Sequence, residues 1–211
     1  MNFECVTVAD LKNKQWTVDG PVMVMPFTDP ALANQSGVLA AQRAAAHGLL
    51  LGVHDVNRQG FVTCVNKAFA ATRSPWLGYM AQDAFAGRDW MALALQALHK
   101  QRGVLLAFND GKWHGALASF GLASRQWAAG NYPEGDFFSA GYERHYADTE
   151  LSVLARQVGG YVYQPDSVLV EVDWGKDSAP VHAPDRALFQ QRMAQGFGGR
   201  VTDPALLALF G

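Results

Sequence analysis

Two apolar runs, Pro21-Val22-Met23-Val24-Met25-Pro26 and Leu49-Leu50-Leu51-Gly52-Val53, carry no charged or strongly polar position. That is the pattern of strands buried on both faces of a parallel sheet. Between them Asp29 is placed to cap a helix with Pro30 at its first position, and an alanine-rich segment runs from Ala31 to His47 before Gly48. Strand, helix and strand in this order predict a βαβ unit with a right-handed crossover. After a turn at 57–60, residues 61–71 read as a helix with Phe61, Cys64, Val65, Ala68 and Phe69 on one side. A strand over 76–81 follows. A helix from Asp89 to His99 presents Trp90, Leu93, Ala94 and Ala97 at i, i+3, i+4 and i+7. A further strand is predicted over 104–108, a helix over 151–158 and short strands over 161–163 and 168–172. Helices over about 185–195 and 204–210 complete the list, and 111–135 has little periodicity. The pattern predicts an α/β fold in one Rossmann-like domain over residues 1–175, its sheet mixed but mainly parallel and flanked by helices. A helical tail follows over 176–211, a candidate for packing on the domain or for association between copies.

Composition narrows the class. The 211 residues are 49% hydrophobic and 17% charged, with a formal net charge of −2. This describes a globular chain with no electrostatic reason to bind nucleic acid. Cys5 and Cys64 are far apart and in no metal-ligand spacing. Free thiols in a reducing compartment are expected, with Cys64 buried and inert. Glu4 and Asp10 interrupt the N-terminus, so it does not read as a signal peptide, and no run reaches the ~18 apolar residues of a bilayer span. A cytoplasmic location is expected.

Three polar sites interrupt this pattern. Gln82-Asp83 follows the strand over 76–81, and strand carboxyl ends are where open α/β sheets bind ligands. A carboxylate there can hold a hard divalent cation or simply form a turn. Asp148 and Glu150 stand at the entry of a helix, where Thr149 or Asp148 can cap it, or where Asp148 can act as a general base. Asp55 ends the second strand, as a turn former or as a hydrogen-bond acceptor for a base or sugar. Trp113, His114, Phe120 and Trp127 give the middle segment an aromatic character that suits either a core or a sugar-stacking surface.

Taken in order, these stretches resemble the family 2 glycosyltransferases. Residues 22–29, a hydrophobic run with Pro26 and then Thr28 and Asp29, look like the family's first strand and polar loop. Asn57, Gly60, Phe61 and Asn66 are similar to its Asn-x-Gly-Phe…Asn segment, with one extra residue before the glycine. Gln82-Asp83 followed by Asp89-Trp90 resembles its metal-binding strand end. Asp148-Thr149-Glu150-Leu151, with Arg156 before Gly159, resembles its late acidic motif. The resemblance spans roughly residues 20–173 and implies a GT-A-like fold. It implies a metal-dependent transferase moving a sugar from a nucleotide-diphosphate donor to a carbohydrate or other hydroxyl acceptor, with inversion. In that reading Asp148 is the base, and Asp83 holds Mn²⁺ or Mg²⁺ with Asp173 as a possible second ligand. Asp55, Pro26, Thr28, Asn57, Asn66 and Gln82 contact the nucleotide.

The sequence also departs from the family pattern. The usual Asp-x-Asp is reduced to Ala81-Gln82-Asp83, and the loop after Asp55 lacks the Asp-Gly-Ser-x-Asp run. The helix and strand that normally follow that loop are missing. Glu171, Val172 and Asp173 stand where the family has a metal-binding histidine, with His182 further on. These departures keep open a rival expectation, a degenerate fold that binds a nucleotide or carbohydrate without catalysis.

Overall fold

The alternation inside the two apolar runs sets the layers of the computed structural model, which describes residues 1–172 and 181–210. Strand side chains point to opposite faces in turn. Val22, Val24, Leu49 and Leu51 therefore enter one core cluster, and Met23, Met25 and Leu50 enter the other. The strands are β1 (Asn2–Thr7), β2 (Trp16–Thr17), β3 (Val22–Phe27), β4 (Leu49–His54), β5 (Thr72–Arg73), β6 (Trp76–Tyr79), β7 (Ala84–Ala86), β8 (Leu105–Asn109), β9 (Gly121–Ser124) and β10 (Tyr161–Glu171). The helices are α1 (Pro30–Arg43), α2 (Phe61–Ala71), α3 (Trp90–Gln101), α4 (Arg125–Ala129), α5 (Ala147–Gln157), α6 (Ala183–Ala194), α7 (Gly196–Gly199) and α8 (Pro204–Leu207), with a 3₁₀ turn at Asp10–Lys12. Among the described residues the main sheet has eight strands in the order β1-β4-β3-β6-β9-β8-β10-β7. The pairings β1–β4, β4–β3, β3–β6 and β8–β10 are parallel, while β9 and β7 run against their neighbours. The fold is thus a single α/β domain on a mixed, mainly parallel sheet.

The helix start at Asp29 forms as its residue types dictate. The Asp29 carboxylate accepts from the amides of Ala31 (2.9 Å) and Leu32 (3.1 Å), with Pro30 next in the helix. On this face of the sheet, Trp90 in α3 donates its indole N–H to the Ala40 carbonyl of α1 at 2.9 Å. The other face carries α2 and α5.

Several boundaries differ from the expectations. The outer edge of β4 is covered by β1 at the N-terminus, paired in parallel from Asn2 to Thr7. Only Val6 of that strand is buried, so β1 shows no apolar run. The aperiodic 111–135 segment contains β9 and α4. Leu122 and Ala123 of β9 are buried beside Gly121, too short a stretch to show a period. The two short strands expected over 161–172 are one strand, β10, with a register shift between Gln164 and Val168 around Pro165. Proline has no N–H for the ladder, which accounts for the irregularity there.

The tail is packed into the domain. Phe189, Phe197 and Val201 are buried in the same cluster as Leu151 and Leu154 of α5. Arg192 of α6 forms a forked pair with Glu150 of α5, from Nε to Oε2 and from Nη2 to Oε1, both at 2.7 Å. Glu150 is fully buried and also accepts from the Tyr142 hydroxyl at 2.8 Å. Charge-assisted bidentate pairs of this kind are the strong ones, and removing one partner strands a buried charge. Arg192→Ala should therefore lower unfolding free energy by about 3–5 kcal/mol in urea denaturation. A loss below about 1 kcal/mol, the range of a surface pair, would show that the contact is not holding the tail.

Candidate active site

The parallel strands β3, β4, β6 and β8 end on one edge of the sheet. Thr28, Asp55, Gln82-Asp83 and Asp110 stand at or just beyond those ends. Open α/β sheets place their ligand crevice at such an edge. Asp55 and Asp83 thus stand beyond strand ends on that edge, and Asp110 joins them.

Asp148 lies in the first turn of α5. Its Oδ1 accepts from the Thr149 amide at 2.8 Å, and the side chain is half-buried. Burial pushes its carboxyl up to about 6, because an ionised carboxylate loses solvation there. The Thr149 hydrogen bonds oppose the shift and the negative Asp110 adds to it. A carboxyl near 6 is poised to accept a proton close to neutral pH.

Asp148 faces two cavities. The larger, about 470 Å³, is shared with Asp110, Ser119, Arg144, Glu171 and others. The smaller, about 160 Å³, lies toward Phe61, Val62 and Phe138. Asp110 is 4% exposed and organises the loop below the larger cavity. Its Oδ1 accepts from the amides of Lys112 (2.9 Å) and Trp113 (2.8 Å), and its Oδ2 from the Ser119 hydroxyl. Asp110 was not among the sequence candidates. Its signal was there: an Asn-Asp-Gly turn at the carboxyl end of a buried strand, the same kind of place that singled out Asp83.

The approach to Asp148 is held from the tail. Asp185, at 2% exposure, accepts from the amides of Glu143 (3.1 Å), Arg144 (2.9 Å) and His145 (2.9 Å). Burial works to raise its carboxyl, but these amides and His182 outweigh that and hold it below the ordinary value. The His182 ring, 3.1 Å from Asp185 and 3.8 Å from Glu143, belongs to this cluster. Sequence reasoning missed Asp185, which reads there as an ordinary first-turn acid.

The other predicted contact residues have internal engagements. Gln82 accepts at Oε1 from the amides of Thr28 (2.8 Å) and Asp29 (3.0 Å), fixing the loop after β3. Asp55 accepts from the amides of Gln59 and Gly60, both at 2.8 Å, closing the loop into α2. Gly60 is required there: its φ is +95°, and a Cβ would stand 3.1 Å from the Glu143 carbonyl. Asn66 is buried and exchanges hydrogen bonds with the Phe138 backbone at 3.0 and 2.9 Å. Asn57 and Thr28 are exposed at the crevice edge, and Pro26 is half-buried within β3. Cys64 is buried as expected, and burial pushes its thiol up to about 12.

Asp83 is 2% exposed, and its carbonyl accepts from the Val172 amide at 3.2 Å. It therefore sits beside Glu171, which lines the larger cavity. Asp173 lies outside the described residues. Among the described residues, no three His, Cys, Asp or Glu side chains converge to hold a metal ion. A protein-only cage does not fit these residues. Asp83, the carboxylate expected to hold the metal, lines neither of the two cavities that Asp148 faces.

The raised Asp148 carboxyl has a stability consequence of definite sign. With a folded pKa above the unfolded value of about 3.9, the native state binds more protons between those values. Stability should fall as pH rises from about 4 to about 6. Asp148→Asn keeps the Thr149 acceptor and should be more stable at pH 7 by about 1–2 kcal/mol. That is less than the full linkage value, because the carboxylate is partly solvated. Urea midpoints at pH 5 and 7 for both proteins test this; an equal pH response would remove Asp148 as its source.

No protein-family model matches the sequence, and neither does any curated protein. Solved structures do match the fold. A mannosyltransferase from Pyrobaculum calidifontis, in complex with GDP-Man and Mn²⁺, superposes with a TM-score of 0.60 at 14% identity. The match covers 96% of this chain and 74% of that one. Glucosyl-3-phosphoglycerate synthase from Mycobacterium tuberculosis, in complex with Mg²⁺ and uridine diphosphate, gives a TM-score of 0.57 at 10% identity. It covers 94% of this chain and 85% of its own. Among the described residues no helix is long and apolar enough to cross a membrane. The sheet order, the helices on both faces and these two matches together show that the chain has the GT-A fold of nucleotide-sugar transferases.

Proposed function

We propose that this chain transfers a sugar from a nucleotide-diphosphate donor to a hydroxyl acceptor, with inversion at the anomeric carbon. The observation that carries the reading is Asp148. It is a half-buried carboxylate raised to about 6, on a wall shared by two cavities at the ligand edge of a transferase fold. In the proposed step Asp148 takes the proton of the acceptor hydroxyl. The freed oxygen bonds to the anomeric carbon as the bond from that carbon to the diphosphate breaks, and the diphosphate leaves with the electron pair. The two neighbours hold Mn²⁺ or Mg²⁺. Asp83 would be the carboxylate to hold such an ion here, and the ion would supply positive charge to the leaving group. Thr28 and Asn57, exposed beyond the ends of β3 and β4, are the candidate contacts for the nucleotide, with the buried Asp55 behind them.

A second reading, donor or carbohydrate binding without turnover, has one specific support. Asp55, Asn66 and Gln82 are already engaged in holding loops. Metal-dependent nucleotide binding without transfer or donor hydrolysis would select it.

Thermal unfolding with a panel of nucleoside diphosphates tests donor binding. At about 100 times Kd, binding adds about 2.7 kcal/mol, or about 5–10 °C for a chain of this size. One nucleotide should give such a shift with Mn²⁺, and Asp83→Ala should abolish the metal-dependent part. If no nucleotide shifts the protein with or without metal, the donor assignment fails. With the donor in hand, Asp148→Asn should keep the nucleotide shift and lower transfer about 10²–10⁴-fold. In the unsubstituted protein, transfer should rise with pH through about 6 and then level off, because only the ionised carboxylate accepts the proton. Undiminished transfer by Asp148→Asn would remove it from the chemistry.

A further inference from the structure

The walls of the larger cavity differ from its floor in a way that bears on the acceptor. The proton acceptor Asp148, the buried Asp110 and Ser119 bring polar groups to its inner part, beside the buried Phe120 and Leu117. Outward, the lining mixes Lys112, Arg144 and His145 with the apolar side chains of Trp113, Tyr146, Val181 and Phe210. Trp113 is 43% exposed and Val181 37%, so apolar surface is displayed at the mouth. The Trp113 backbone is held by the Asp110-capped turn, and the Lys112 ammonium lies 5.3 Å from its ring. Phe210 comes from the far end of the chain, beyond α8, and packs against the main core cluster. The volume of about 470 Å³ falls within the range of small-molecule sites.

We infer that the acceptor is a hydroxyl compound carrying a planar apolar group. Its reacting hydroxyl lies at Asp148 and its apolar group lies against Trp113, Val181 and Phe210, which line the same cavity. This inference rests on the proposed transferase reading and names its acceptor class. Burying an aromatic group between such walls removes apolar area from water, and ring contacts add to that. A purely polar sugar gains neither and leaves Trp113 and Val181 in water. The residues that decide the preference, Val181 and Phe210, come from the tail, outside the strands that form the crevice edge.

Matched pairs of phenyl and methyl glycosides of glucose, galactose and mannose isolate the apolar group, because each pair shares its sugar. Binding is read by calorimetry on the full chain, alone and with the nucleoside diphosphate and Mn²⁺. In at least one pair the phenyl member should bind at least tenfold more tightly. Phe210→Ala and Trp113→Ala should each reduce that preference about fivefold or more while leaving the nucleotide-induced thermal shift in place. Trp113 is exposed, so its variant keeps the test independent of any folding defect in Phe210→Ala. If no pair differs by more than twofold, or if the preference survives both substitutions, the inference is overturned. If the phenyl preference is found but no nucleotide binds, the apolar site stands and the transferase reading fails.

Discussion

The structure depends most on one carboxylate brought from the tail to the loop before α5. Glu143, Arg144 and His145 belong to no helix or strand, and their amides converge on Asp185. Buried backbone donors need partners, and a single side chain supplies three of them. One turn into α5, Glu150 is tied by two hydrogen bonds to Arg192, two turns along α6. Asp148 lies between these two attachments in sequence. The tail is therefore part of the scaffold that sets the position of the candidate base.

The same packing sets the electrostatics. Asp148 is raised chiefly because the surrounding elements remove water from it, and only secondarily by Asp110. A site that holds an ionised carboxylate at neutral pH under these conditions sacrifices some folding stability for chemical readiness. Asp110 connects the two effects: it fixes the Trp113 turn by hydrogen bonds and adds negative charge near Asp148. The polar interior of the larger cavity and the Trp113 turn thus share one organising residue.

Most of the central sheet was legible in the sequence, because strands buried on both faces appear as unbroken apolar runs. Asp29 with Pro30 announced α1, and the 3.6-residue spacing around Trp90 announced α3. The half-exposed edge strand β1 was not legible, nor was β9, whose few residues are too short to show a period. Asp83 and Asp148 could be located from strand and helix ends. The roles of Gln82 and Asn66 could not, because their partners are 54 and 72 residues away. Asp185 was hidden for the same reason: its partners lie 40 to 42 residues earlier. Long-range hydrogen bonding leaves no local pattern, and in this chain it builds the loops of the site.

The central claim is that this fold keeps one aspartate at the ligand edge raised into the range useful for general-base chemistry. Carbon-13 NMR titration of labelled aspartate carboxyls reads this directly. One carboxyl should titrate near pH 6, and its signal should be missing from Asp148→Asn. If every aspartate titrates below about 4.5, within the ordinary spread, the claim is contradicted.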